Sequence, residues 1–220
     1  MVPKSSAKFY QLRRKNVLAE KMYDSQPPNG ESAMGDRSNQ QKYILVQVAK
    51  RLFHERGYGK VKLTDIAKNA GISLKETQGY FSSPQDVCLR VIDVHWEEQL
   101  AEFDNIDQNS NPRQRLSLYL DSLLENSDEM MSRGCAITNL YFDVKREDPE
   151  LDDLAAKLLQ QRLDWIKEQF VAITRVENIT GLPERLDSAI HGISILAQAT
   201  GNPALIRNQV NQLKSWIRSM

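Results

Sequence analysis

The side chains best suited to engage another molecule by charge and hydrogen bonding crowd between positions 60 and 80. They are Lys60, Lys62, Thr64, Lys68, Ser73, Lys75, Glu76, Gln78, Gly79 and Tyr80. A lysine offers a compact positive charge, and a phosphate contact needs charge more than shape. A glutamine amide carries one acceptor and two donors and can bond adenine N6 and N7 together. Lys75 and Gln78 stand three residues apart, on one face of any helix that contains them. The set points to DNA, with Lys60, Lys62, Thr64 and Lys68 toward phosphates and the 73–80 segment toward base edges. Spacing alone leaves this open, because any pair of short helices in a helical protein shows a similar pattern.

Other chemistries have less support. There is no Gly-rich phosphate loop, no Ser elbow and no H-E-x-x-H, so catalysis is not expected. The acid pairs Glu97-Glu98 and Asp152-Asp153 are adjacent and diverge on a helix as solvated faces. Cys88 and Cys135 are too few for a disulfide framework, and no Cys/His pattern has zinc spacing. Cys135 reads as a small apolar residue. His54, His95 and His191 are isolated in sequence, with His54 on the solvent side of its helix. No metal and no cofactor is expected. No apolar run approaches the ~18 residues of a membrane span, and the N-terminus lacks an apolar signal core. The expectation is a reduced, cytoplasmic protein with no membrane partner.

The 60–80 cluster needs elements to hold it, and the periodicity that supplies them is helical throughout. Apolar residues recur at i, i+3, i+4 from Tyr43 almost to the end, without alternating runs. The 220 residues carry 29 Lys/Arg and 29 Asp/Glu, but unevenly. Residues 1–37 hold 7 basic against 4 acidic, 38–87 hold 8 against 4, and 88–220 hold 14 against 21. An N-terminal part that meets a polyanion, and a C-terminal part with another task, follow from that split. Residues 1–23 read as a basic helix and 24–40 as a linker. Because Met34 resembles an ordinary start, 1–37 is expected to be a disordered basic extension or the product of a mis-set start. A first helix is predicted over 40–56, with Ile44, Leu45, Val48, Ala49, Leu52 and Phe53 inward and Gly57 as a left-handed cap. Short helices follow over 63–70 and 74–80, joined through Gly71. Ser73 with Glu76 makes a capping box. Ser83, Pro84 and Asp86 start a helix to about 103, and 104–111 is a loop. Further helices are predicted over 112–126, 128–133, 135–146, 149–176, 183–200 and 203–218. The fold class is all-α. A helix-turn-helix domain over 38–87 precedes a helical domain over 88–220.

The stretch AKRLFHERGYGKVKLTDIAKNAGISLKETQGYFSSPQDV resembles the N-terminal domain of the TetR (tetracycline-repressor) family of bacterial regulators. The resemblance is carried by Ala49, Leu52, Phe53, Gly57-Tyr58, Asp65-Ile66-Ala67, Ala70-Gly71-Ile72-Ser73, Tyr80-Phe81, Ser83 and Asp86. Farther on, GCAITNLYFDV followed by DPELDD is similar to a segment in one branch of the family. Departures fall in the reading helix and on either side of it. The family usually has Thr at position 62, a small residue at 75, Tyr at 78 and Lys at 84, where this chain has Lys62, Lys75, Gln78 and Pro84. The Tyr and Lys normally touch phosphate; Lys62 and Lys75 are suited to restore part of that contact.

The resemblance implies a ligand-responsive transcriptional regulator, a repressor, that binds a near-palindromic site on double-stranded DNA as a homodimer. It implies that 88–220 binds a small-molecule effector and dimerises. Candidate pocket residues are His95, Trp96, Tyr119, Leu123, Leu140, Tyr141, Trp165 and Phe170. The last two helices imply a dimer interface at Ile190, Ile193, Ala197, Val210, Leu213, Trp216 and Ile217. The alternative is a degenerate relative, a helical dimer that binds small molecules or partners but no operator.

Overall fold

The periodicity becomes helix along nearly its whole length. The computed structural model describes residues 32–174 and 179–220, with side chains from 37 onward. Two units are distinguished, Met1–Gln41 and Lys42–Met220. The basic helix expected over 1–23 lies outside the described residues. No strand occurs among the described residues, and none of their helices is long and apolar enough to cross a membrane. The elements are α1 (Ser32–Arg56), a 3-10 turn (Tyr58–Lys60), α2 (Leu63–Ala70), α3 (Leu74–Tyr80), α4 (Pro84–Ile106) and α5 (Pro112–Glu125). They continue as α6 (Ser127–Arg133), α7 (Ala136–Glu147), α8 (Asp152–Ile173), α9 (Leu182–Thr200) and α10 (Pro203–Ser219).

Several boundaries differ from expectation for identifiable reasons. The linker expected over 24–40 is helical from Ser32, because lengthening an existing helix needs no new nucleus and Gly35 alone is a weak breaker. Gly57 takes φ 87° as expected, but ψ 142° turns the chain out of the left-handed helical region and into the 3-10 turn. Helix α4 continues to Ile106, since Phe103 and Ile106 are both buried on one face. The loop at 104 therefore shortens. Helix α8 starts at Asp152, after a turn in which Leu151 N–H donates to Asp148 C=O at 3.1 Å. Pro112 and Pro203 open α5 and α10, where a missing N–H is harmless. The Asn111 and Asn202 side chains accept from the exposed amides of Arg113 and Ala204, both at 3.0 Å.

Helices α4 to α6 and α8 to α10 close around one apolar core. Phe103, Leu116, Tyr119, Leu120, Trp165, Ile166, Phe170, Leu186 and Ile206 are buried in it. Five of the seven expected interface residues lie there too. Ile190, Ile193, Ala197, Val210 and Ile217 are buried within the protomer, and Leu213 and Trp216 pack against the same cluster. The two stripes face each other, with α9 also packed on α6 and α8 and α10 on α5, since both helices need their apolar faces to fill the domain. The large apolar residues that α9 exposes are Ile195 (66%) and Leu196 (54%).

Candidate nucleic-acid interface

The reading unit is assembled from its core outward. Leu45, Val46, Ala49, Leu52 and Phe53 of α1 are buried, as are Leu63, Ile66 and Ala67 of α2. Ile44, expected inward, is 37% exposed, and Val46 takes an inward place. Helix α2 begins with the Asp65 carboxylate accepting from Lys62 N–H at 2.9 Å. It ends at Gly71, whose φ of 67° and ψ of 23° lie in the left-handed region. That conformation lets Ile72 N–H donate to Ala67 C=O at 3.1 Å and swings the chain sharply into α3. Ser73 then caps α3: its Oγ accepts from Glu76 N–H at 3.2 Å, while the Glu76 carboxylate accepts from Ser73 N–H at 3.2 Å. Thr77 is fully buried, with its hydroxyl donating to Ser73 C=O at 3.0 Å. One side of α3 is thus pinned, and the other carries Lys75, Glu76, Gln78 and Gly79, all exposed.

The sequence-derived residues gather on this outward side. Lys60, Lys62, Thr64, Lys68, Ser73, Lys75 and Gln78 are exposed. No carboxylate among the described residues forms an ion pair with Lys60, Lys62, Lys68 or Lys75. Glu76 has its carboxylate engaged by Ser73. Tyr80 is half-buried, with the Lys42 ammonium 5.6 Å from its ring centroid. A Cβ on Gly79 would meet no atom within 4 Å, so packing inside the protein does not require a glycine there. Two neighbours that sequence reasoning passed over are Lys42, at the start of this unit, and Leu74, an exposed apolar residue at the first position of α3. Both sit at positions where periodicity gives no signal.

This unit is tied to the C-terminal helices at the Gly57-Tyr58 turn. Tyr58 N–H donates to Asp143 Oδ2 at 3.0 Å, and its hydroxyl donates to Asp148 Oδ2 at 2.8 Å. Burial and the Asp148 carboxylate raise the Tyr58 hydroxyl above its ordinary pKa. Gln85 of α4 donates to Asp148 Oδ1 at 3.0 Å. Contrary to expectation, His54 faces inward: its side chain is nearly buried, with Nε2 3.1 Å from Gly134 C=O and Nδ1 3.1 Å from Glu129. The bend that brings α6 and α7 beneath α1 is what covers it. Lys50 pairs with Glu98.

The eight expected pocket residues separate into different surroundings. Tyr119 and Trp165 meet, with ring centroids 5.4 Å apart, and Phe103 stacks on Trp165 at 4.6 Å. Phe170 faces Trp216 at 5.8 Å, and Leu123 packs on the same core. Trp96 and Leu140 are buried. His95 is buried; burial first, then its neighbours Lys50 and His54, lower its pKa to about 3. Tyr141 is half-buried and accepts from Lys145 at 3.0 Å. No group of three or more His, Cys, Asp or Glu among the described residues is placed to hold a metal.

With that geometry in hand, likeness to known proteins is specific. Residues 45–85 match the family described as bacterial regulatory proteins, tetR family. An uncharacterized HTH-type transcriptional regulator in the lacX 3' region of Lactococcus lactis is 24% identical over 177 residues, covering 78% of this chain and 86% of its own. The HTH-type transcriptional regulator LuxR of Vibrio harveyi is 27% identical over 165 residues, covering 72% and 78%. A TetR-family regulator from Agrobacterium tumefaciens superposes with a TM-score of 0.72 at 16% identity, over 81% of this chain and 97% of that one. A TetR regulator from Legionella pneumophila gives 0.69 at 20% identity, over 80% and 94%. These solved structures share the fold.

Proposed function

We propose, from the premise that the chain is a TetR-family transcriptional regulator, that it is a cytoplasmic repressor binding a near-palindromic operator as a homodimer. In this reading, 38–87 is the reading head and 88–220 binds effector and dimerises. The observation that carries it is the outward side of α2 and α3, where exposed Lys60, Lys62, Lys68 and Lys75 have no carboxylate partner among the described residues. Unpaired lysines around a capped helix end suit a phosphate track flanking a major groove. Lys60, Lys62, Thr64 and Lys68 contact phosphates in this account. Lys75 and Gln78 reach base edges from one face of α3, and Gly79 lets the backbone approach. Ser73 and Glu76 hold the end of α3 in shape, and Tyr80 supports its far end.

The dimer forms through the exposed side of α9 at Ile195 and Leu196. A small-molecule effector binds among the middle helices, where Trp96, Tyr119 and Trp165 supply apolar surface. The hydrogen bonds of Tyr58 to Asp143 and Asp148 carry a shift of α7 to the head, for which a coupling of ~1–3 kcal/mol is typical. The test is selection of bound DNA from a random pool, with sites read by sequencing. Enrichment of two inverted half-sites about one or more helical turns apart is expected. No enrichment at low salt overturns operator binding and leaves a helical dimer that acts on other partners.

A further inference from the structure

We propose that α4 and α8 hold a ligand site for a small, neutral, planar cyclic amide or urea, read by the side-chain amides of Gln99 and Gln161. The proposal rests on the effector reading above and names the chemistry of its ligand. The register of the two helices comes from their side-chain ties. Phe103 of α4 stacks on Trp165 of α8, with centroids 4.6 Å apart and planes at 5°. One turn on, Arg115 binds both: its Nε lies 3.6 Å from Asp107 and its Nη1 donates to Gln169 at 3.3 Å. Asp107 follows Phe103 by one turn, and Gln169 follows Trp165 by one turn. The helices therefore run in parallel register, with these positions opposed. One turn before Phe103 and Trp165 stand Gln99 and Gln161, so the same register sets these two positions opposite each other.

Gln161 is 2% exposed and Gln99 is 7% exposed. Neither Gln161 Nε2 nor Oε1, nor Gln99 Oε1, has a hydrogen-bond partner among the described residues. Buried side-chain polar atoms are satisfied in the great majority of cases, so these three mark where a partner belongs. Aromatic rings flank this level of the helix pair: Trp96 is buried one turn earlier on α4, and the Phe103–Trp165 stack with Tyr119 at its edge lies one turn later. Charge beside the site is paired, although Arg162 stays within electrostatic reach of Tyr119. Arg162, about 100° round α8 from Gln161, donates to Asp187 at 2.8 Å and lies 2.6 Å from His191 Nε2. Recognition is therefore by hydrogen bonding between aromatic faces. A primary amide presents one donor and one acceptor on an edge, which pairs doubly with a cis-lactam; Gln99 Oε1 accepts one further N–H. A donor–acceptor–donor edge, as in a cyclic urea, satisfies all three atoms.

The probe is benzimidazolin-2-one, with its N,N′-dimethyl derivative as a control of similar shape without donors. Binding to the full chain is measured by calorimetry. The parent is expected to bind at least about tenfold more tightly than the control, because an unmatched buried amide is left by the latter. Gln161→Leu and Gln99→Leu should each abolish that discrimination while melting no lower than wild type, since an apolar side chain of similar size replaces an unpaired amide. No binding of the parent, equal binding of both compounds, or discrimination retained in Gln161→Leu overturns the site. So does a marked loss of stability in both variants, which assigns the amides to a structural water. Effector regulation is judged separately, by whether any compound of a metabolite library alters retention of the selected DNA. A compound that acts equally on wild type and Gln161→Leu leaves regulation standing and refutes this site.

Discussion

Replacing Gly79 with Ala should make the protein more stable and a poorer DNA binder. Gly79 is the penultimate residue of α3, its φ is not among the positive ones, and a Cβ built on it meets nothing within 4 Å. Within the protein, Ala therefore brings only its better helix propensity, about 0.5–1 kcal/mol. For a chain of this size, ~1 kcal/mol moves the melting temperature by roughly 2–4 °C. The upper bound of the gain is thus about that shift. The added methyl projects from the outward side of α3, beside Lys75 and Gln78. If that backbone packs against DNA, the methyl must displace it, and a loss of ~1.4 kcal/mol or more is a tenfold fall in affinity. Calorimetric melting gives the first quantity, and fluorescence anisotropy with a selected site at two salt concentrations gives the second. A lowered melting temperature refutes the claim that nothing in the protein needs the glycine. A raised melting temperature with unchanged affinity refutes close approach of α3 to DNA.

Gln78→Ala should cost ~1–3 kcal/mol at one base-pair position and relax the preference there, whereas Lys62→Ala should weaken all sequences evenly; equal losses on cognate and random DNA from Gln78→Ala sink the base-reading role. Ile195→Asp should yield a folded monomer without operator binding, while Ile217→Asp, at a fully buried position, should unfold the protein; sedimentation and circular dichroism separate the two. His95 is held neutral with its pKa lowered to about 3. The unfolded chain thus gains the proton first, and stability falls as pH drops from about 6.5 toward 3, by up to ~1.4 kcal/mol per unit. Urea unfolding at pH 7 and pH 5 should show a loss that His95→Asn reduces, and an equal loss in both proteins would contradict it. Tyr58→Phe, which removes the donor to Asp148, should destabilise by ~1–2 kcal/mol; denaturant titration that shows no change would mean that water replaces the hydroxyl.

The reading unit was legible because its determinants are local. Ser73, Glu76 and Ser83 accept from amides three residues away, Gly71 supplies a left-handed turn, and Pro84 opens its helix, each in the structure as the sequence implies. The all-α class followed from periodicity for the same reason. What escaped depends on which faces meet. The stripe of Ile190, Ile193 and Ala197 was visible, but an apolar stripe does not say whether it is covered by its own domain or by a second copy. His54 looked solvated because the cover that buries it comes from Glu129 and Gly134, 75 and 80 residues away. The eight aromatic and apolar pocket candidates share only their type, and type does not separate Trp165, in the core stack, from half-buried Tyr141, which accepts from Lys145. Gln99 and Gln161 carried no signal at all, since a glutamine's lack of partners is visible only once its neighbours are in place.

The contact of α7 with the Gly57-Tyr58 turn bears on how such proteins can be recombined. A chimaera cut at 87/88 would transplant a foreign head onto Asp143, Glu147 and Asp148, which stay behind. Asp143 lies where a Cβ on residue 57 would come within 3.1 Å, and Glu147 lies where one on residue 59 would come within 2.9 Å. Asp148 would lose the hydroxyl it accepts from wherever the donor head lacks Tyr58. The smallest piece that carries its own seat with it is therefore discontinuous: the head together with α7 and the turn after it, Ala136 to Asp148. Heads exchanged with that helix should keep their response to the C-terminal domain, and heads exchanged without it should bind DNA as orphans.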